Sequence, residues 1–223
     1  MHRTPIYIEG VETPTSPTPI EHRIREGLER LAVVMRADDW NRAKTSALNP
    51  TQRSILEYLE NRPEGAGLTG IAAYFVVSQP TATDSVAALE RKGYVERRSS
   101  EKDRRGVKVV LTDRGRALLA ERSGEGKARV ALDRLGPEEK GELLATVVKL
   151  IKTLQDLDAI PVQRMCASCI YFAPFVHRDG GPPHHCNYVD AAFGQRDLRI
   201  DCREHETADP SSRAATWDVF QRG

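Results

Sequence analysis

Four cysteines, Cys166, Cys169, Cys186 and Cys202, are the only ones in this 223-residue chain, and all lie beyond residue 160. Two, sixteen and fifteen residues separate them in turn. Thiolates are soft donors, and a Cys-x-x-Cys turn brings two sulfurs to one centre, so the pattern points to a metal. In a reducing compartment, disulfides and free thiols are the less favoured reading. Two metals fit. An iron–sulfur cluster tolerates one Cys-x-x-Cys with two scattered cysteines, which is what stands here. Zinc could take the same four, or Cys166, Cys169 and Cys202 with His205 as alternative ligand, leaving Cys186 spare. His184 and His185 are expected to be structural. Tyr171, Phe172, Phe175, Tyr188 and Phe193 would form a shell around the metal, or simply a small core. The stretch between the cysteines looks too poor in apolar residues to fold unaided, and metal binding would supply the missing free energy.

A second group of residues could bind nucleic acid. Between Arg91 and Lys108 there are eight Lys or Arg against three acids, a net +5 in a chain whose total is +1. Such concentration is the footprint of a phosphate-binding surface, although a charged hairpin tip is often only a solvated turn. The residues immediately before it weigh against that plainer reading. Ser78 is a good helix cap, Pro80 falls in the first turn, and Ala82, Val86 and Leu89 recur at helical spacing until Gly93. Gln79, Thr81, Thr83 and Asp84 then lie off the apolar stripe, available to base edges. Tyr94 and Val95 open a strand, and Val107, Val109 and Leu111 alternate with Lys108 and Val110 as its returning partner.

These groups need a frame. A helix is expected from about Ile20 to Ala43, with Ile24, Leu28, Leu31 and Met35 on one stripe. Asn49 and Pro50 open the next, carrying Ile55, Leu56 and Leu59 inward, and Thr69 to Val76 makes a short apolar helix before the one capped by Ser78. Thr112 and Asp113 start a further helix, expected to run past Gly124 and Gly126 to Leu132. Pro137 opens the last long one, whose Leu143, Leu144, Val147, Leu150, Ile151, Leu154 and Leu157 make a stripe too wide for one surface of a monomer.

The phrase LERKGYVERRSSEKDRRGVKVVLTDRG resembles the signature of MarR-family winged helix-turn-helix transcription factors, over roughly residues 20–160. The resemblance implies a homodimer built by terminal helices, a recognition helix in the major groove, and a wing of Asp103, Arg104 and Arg105 reaching the adjacent minor groove. It also implies a small-molecule effector, often an aromatic acid or phenol, bound between the dimer helices and the DNA-binding lobes. One departure concerns Asp84, where the family commonly has a basic residue; an acid there weakens phosphate affinity or reads a cytosine amino group.

The expected fold is mainly α (α+β): a winged helix-turn-helix with long dimerisation helices and a small C-terminal metal module of the four-cysteine type. The expected units are an N-terminal arm (1–19, with four prolines), a DNA-binding and dimerisation domain (20–160), a cysteine-rich module (161–206) and a tail (207–223) whose Trp217 and Phe220 would dock at a place the sequence leaves open. No apolar run approaches a membrane span, and no signal-peptide core is present, so a cytoplasmic protein is expected.

The expected function is sequence-specific regulation of transcription, as a repressor, on a pseudo-palindromic DNA operator. Gln79, Thr81, Thr83 and Asp84 would read bases; Arg97, Arg98, Lys102, Arg104 and Arg105 would neutralise phosphates or enter the minor groove. The signal would be the metal module, or a small aromatic ligand with the metal purely structural. An architectural DNA-binding protein without an inducer is a further reading. A redox metalloenzyme is the remaining one, against which stand the lack of a phosphate-binding glycine loop, a nucleophile elbow and catalytic zinc spacing.

Overall fold

The computed structural model of the protein describes residues 18–44, 47–99, 106–121 and 126–222. Residues 1–17 of the expected arm and the expected wing residues Lys102, Asp103, Arg104 and Arg105 lie outside them.

Helix α1 (Ile20–Lys44) leaves Ile24, Leu28, Leu31 and Met35 exposed, while its C-terminal half meets α2 and α6. Helix α2 (Pro50–Glu60) starts with a reciprocal cap: the Gln52 amide donates to Asn49 Oδ1 at 2.8 Å, and the Asn49 amide donates to Gln52 Oε1 at 3.4 Å. Such a box satisfies amides that the first turn leaves unpaired. Helix α3 (Leu68–Tyr74) and helix α4 (Gln79–Arg91) follow, the latter capped by Ser78 Oγ, which accepts from the Thr81 amide at 3.3 Å. Ala82, Val86 and Leu89 then face inward, as their spacing requires.

Strands β1 (Val95–Ser99) and β2 (Val107–Leu111) pair antiparallel, from Val95 opposite Leu111 to Ser99 opposite Val107. The α2–α3 connection adds a short third rung, in which the Ala66 amide donates to Val109 O at 3.0 Å and the Val109 amide to Ala66 O at 2.8 Å. Gly65 makes that approach possible. Its φ is +77°, and a Cβ there would sit 2.5 Å from Val110 Cγ1 and 2.6 Å from Val109 O. The same crossing explains a departure from the alternation expected in β2: Val110 is buried along with Val109 and Leu111, whereas Val107 is exposed. Ile55, Leu56, Leu59, Ile71, Ala82, Val86, Leu89, Val95, Val109 and Leu111 form one core beneath these elements.

Helix α5 (Asp113–Ala120) is capped by Thr112 Oγ1 and ends at Ala120, with Glu121 in an extended conformation. The expected continuation through Gly124 and Gly126 is therefore corrected. A separate α6 (Lys127–Asp133) begins at Gly126, because a side chain from α1 caps it: Asp38 Oδ2 accepts from the Ala128 amide at 2.8 Å.

Helix α7 (Pro137–Asp156) has two occupied sides. Leu143, Leu150 and Leu154 are exposed, whereas Ala145, Val148 and Gln155 are buried against the chain that follows. That chain forms a 3-10 turn (Cys166–Ser168) and a three-stranded antiparallel sheet in the order β3 (Phe172–Ala173), β4 (His184–Cys186), β5 (Ala191–Phe193). A second 3-10 turn (Gln195–Asp197) and helix α8 (Pro210–Arg222) follow. Val148 of α7 and Phe220 of α8 close a core with Met165, Ala167, Phe172 and Leu198, and Trp217 packs against it. The tail thus docks on the cysteine segment. The apolar residues that segment lacks come from α7 and α8, which amends the expectation that only a metal could hold it together.

Candidate nucleic-acid interface and thiol site

Because Ala82, Val86 and Leu89 fix the rotation of α4, Gln79, Thr81 and Asp84 fall on its exposed side and Thr83 at its margin. The two threonines are locally engaged: Thr81 Oγ1 lies 2.7 Å from Ser78 Oγ, and Thr83 Oγ1 donates to Gln79 O at 2.8 Å. A hydroxyl that donates backward still accepts outward. Gln79 and Asp84 are the longer polar groups on this face. No helix of the described residues is long and apolar enough to cross a membrane.

On β1, Arg97 and Arg98 are exposed but not unpaired. Arg97 Nε stands 3.3 Å from Glu90 Oε2 of α4, and Arg98 Nε donates to Glu96 Oε1 at 2.6 Å. Exposed pairs of this kind contribute little and exchange readily for a phosphate. The Glu90 contact also sets Arg97 of the hairpin beside the helix, so the two candidate contact surfaces are adjacent.

The second site is in the C-terminal module. All four cysteines line one cavity of about 130 Å³, walled by aromatic and aliphatic residues that include Tyr171, Phe172, Tyr188, Val189 and Phe193. Cys166 and Cys169 sit at the two ends of the first 3-10 turn, Cys186 ends β4 opposite Phe172, and Cys202 follows the second turn. All four are free thiols. Among the described residues, no group of three or more Cys, His, Asp or Glu side chains is arranged to hold a metal ion as it stands. The donors surround a space instead of meeting at a point.

Burial raises the Cys166 thiol to about 11, opposed by the Arg199 amide, which donates to its sulfur at 3.3 Å. Burial also raises Cys202, whose sulfur lies 3.7 Å from Arg199 Nη1 and 3.5 Å from Glu204 Oε2. Such thiols stay protonated near neutrality unless a metal displaces the proton. No sequence signal marks Arg199 or Glu204, since only the fold carries them to the sulfurs.

The histidines stand apart from the cavity. His205 Nε2 lies 2.9 Å from Ser168 Oγ, outside the lining of the cavity, and burial holds the ring below its ordinary pKa. His184 is fully buried among Phe172, Phe175, Phe193 and Phe220; its Nδ1 accepts from the Phe175 amide, and its Nε2 has no partner among the described residues. His177, His185 and Asp190 form a surface chain with steps of 3.2 Å.

The two sites are physically joined by groups that the sequence does not reveal. At the end of α2, the buried Arg62 donates to both carboxylate oxygens of Asp201 at 2.9 Å, to Tyr58 O at 2.7 Å, and lies 3.6 Å above the Tyr58 ring. Arg164 donates to the carbonyls of Cys202 and Arg203 and pairs with Glu64 at 3.6 Å. Arg62 and Asp201 are 139 residues apart, so no local pattern betrays them.

Known proteins resemble the part of the chain that carries the first site. Residues 48–107 match the model of the MarR family. The structure of a MarR transcriptional regulator from Methanosarcina mazei Go1 superposes with a TM-score of 0.52 at 17% identity, covering 61% of this chain and 99% of that one. A MarR family transcriptional regulator from Streptomyces coelicolor, solved in complex with DNA, gives 0.51 at 22%, covering 65% and 94%. The transcriptional regulator SlyA gives 0.52 at 21%, covering 60% and 94%. At these identities the likeness establishes the fold: a winged helix-turn-helix with flanking helices.

Proposed function

We propose that the protein is a sequence-specific DNA-binding regulator of transcription that works as a homodimer and represses by occupying its operator. The observation that carries this reading is the placement of α4: a helix with Gln79, Thr81 and Asp84 on its open face, tied through Glu90 and Arg97 to a basic hairpin. The match over residues 48–107 and the winged helix fold support it. Gln79 would read a base edge, with adenine the natural partner of a carboxamide, and Asp84 would accept from a cytosine amino group. Arg97 and Arg98, with Lys102, Arg104 and Arg105 beyond the described hairpin, would bind phosphates or the minor groove.

Dimerisation is supported by the exposed rows Ile24, Leu28, Leu31 and Met35 on α1 and Leu143, Leu150 and Leu154 on α7. Apolar rows of this length are costly to leave in water. Two copies of α4 roughly 34 Å apart would then read a pseudo-palindrome. The four cysteines would hold a metal, zinc or an iron–sulfur cluster, whose state bears on DNA binding.

The test is a salt titration of binding to an operator selected from random DNA. Wild type should lose affinity steeply as salt rises. Arg105→Ala should weaken binding and lower the slope of log K against log salt by about 1. An unchanged affinity and slope would remove the wing from the interface, and no selected sequence at all would sink the regulator reading.

A further inference from the structure

We infer that the thiol cavity holds a polynuclear iron–sulfur cluster rather than a single zinc ion, and that the Cys202 loop couples its presence to the winged helix through Arg62 and Asp201. The regulatory consequence rests on the DNA-binding reading above; the cluster and the coupling do not.

The choice of metal follows from shape. A tetrahedral zinc draws four ligands to within about 2.3 Å of one point, so a zinc site is a contracted knot with no interior. Here four sulfurs line about 130 Å³, where roughly 10–15 Å³ admits one water. The cavity wall is mostly aromatic and aliphatic, so it has few partners for ordered water. A cluster brings its own inorganic sulfide and several irons, and thus fills a space that one ion would leave empty. Four thiols and no histidine line the cavity, with the carboxylates of Asp197 and Glu204 as its other anionic donors, and it is the thiols that suit iron and sulfide. The Arg199 amide beside Cys166 and the Arg199 guanidinium beside Cys202 supply N–H donors to sulfur of the kind that stabilise a reduced, more negative cluster. On assembly each ligating thiol gives its proton to solvent and its sulfur to iron; sulfide and a mixture of ferrous and ferric iron are the other reactants, so the cluster's ferric sites need no further oxidant.

The coupling follows from adjacency. Asp201 precedes the ligand Cys202, and its carboxylate takes both terminal nitrogens of Arg62, a side chain only 5% exposed. The Cys202 amide donates to Arg164 O at 2.8 Å, and the Arg164 side chain returns to the Cys202 carbonyl and reaches Glu64. Glu64 leads directly into Gly65 and Ala66, the second of which hydrogen-bonds β2 of the hairpin. A cluster that fixes Cys202 therefore fixes the end of α2 and the root of the wing. Its loss releases one end of a buried ion pair, which is costly to leave half made.

The experiment uses the full chain, purified and reconstituted without oxygen from ferrous and ferric iron and sulfide, then divided into loaded and chelator-stripped samples. Expected in the loaded sample are about two to four irons with matching acid-labile sulfide per chain and visible charge-transfer absorption. Stripping should raise amide exchange several-fold at Arg62, Gly65 and Ala66. Asp201→Asn should retain iron and sulfide yet show the same exchange at those amides whether loaded or stripped, and Cys202→Ser should lose iron. Operator affinity of wild type should differ between the two samples by about 5–150-fold. One zinc per chain without sulfide uptake would overturn the cluster. A loaded wild type whose exchange at Arg62, Gly65 and Ala66 does not respond to stripping would overturn the coupling. Failure to bind DNA in both samples, with the exchange response intact, would instead overturn the regulator reading.

Discussion

The winged helix lobe and the cysteine module are both small, and they solve the problem of a core in opposite ways. In the lobe, each element brings its own apolar stripe at its own period, and the stripes meet: Ile55, Leu56 and Leu59 from α2, Val86 and Leu89 from α4, Val109 and Leu111 from β2. In the module, strands of two or three residues cannot form a stripe, and the core is borrowed from Val148 on a preceding helix and Phe220 on a following one. The polar surface of the lobe faces outward, ready for a large partner. The module turns its reactive groups inward, around a space the size of a small inorganic group. A surface can be assembled from helices alone, whereas a pocket lined by short strands and turns needs helices from elsewhere in the chain to pack behind it.

That contrast can be broken most forcefully at Phe220. Phe220→Ala removes a side chain 2% exposed from the junction of four aromatic rings and should cost about 3–5 kcal/mol. If the two cores are distinct, hydrogen exchange should rise across residues 165–206 and leave residues 55–59 and 82–89 nearly unaffected. An equal rise in both would make them one cooperative unit.

Gly65→Ala strikes the lobe instead. It forces a left-handed residue with a Cβ against the Val109 carbonyl, and denaturation should show about 2–4 kcal/mol lost. The cysteine pocket should survive the change, because its lining lies wholly within residues 166–204, and the rate of thiol alkylation should match wild type.

Leu150→Glu sharpens the comparison from the outside. Leu150 is 48% exposed, on the side of α7 away from the module, so the fold should tolerate the charge. If the proposed dimer forms through this face, sedimentation should show it weakened by about 1.5–3 kcal/mol per protomer, the transfer energy of a buried leucine. A dimer indifferent to this change would place the interface elsewhere.

The smallest effect concerns acid. The Asp38 carboxyl is held below its ordinary 3.8 chiefly by the Ala128 amide. A carboxylate with a lowered pKa contributes stability that is present above the ordinary value and is lost as pH falls through the lowered one. Protection of the α6 amides should therefore fade at strongly acid pH in wild type, and Asp38→Asn should flatten that dependence. Fading of equal size in Asp38→Asn would assign it to other carboxylates.

Most of the lobe is legible in the sequence because its signals are local. Ser78, Pro80 and the Ala82–Val86–Leu89 spacing locate α4 to within a residue, and Asn49 and Pro50 do the same for α2. The helix expected through Gly124 and Gly126 fails because what starts α6 is Asp38, some 90 residues earlier. In the module the cysteine spacing points to the chemistry, and the fold brings those four residues to one cavity. The spacing carries no information about Arg62 and Asp201, a pair defined by tertiary contact alone, nor about the part played by α8. His205 is near Cys202 in sequence, which makes it a candidate ligand, and only the fold shows the Ser168 hydroxyl 2.9 Å from its Nε2.

Helix α7 carries one further implication, for descent rather than mechanism. Its buried Ala145 and Val148 face the module, while its leucines stand exposed on another side of the same rigid rod. An inserted residue would turn everything after it by about 100°, exchanging the two faces beyond the insertion. Substitutions can drift along such a helix while its length cannot, so relatives that carry the module should preserve the number of residues between Pro137 and Cys166 more faithfully than the residues themselves.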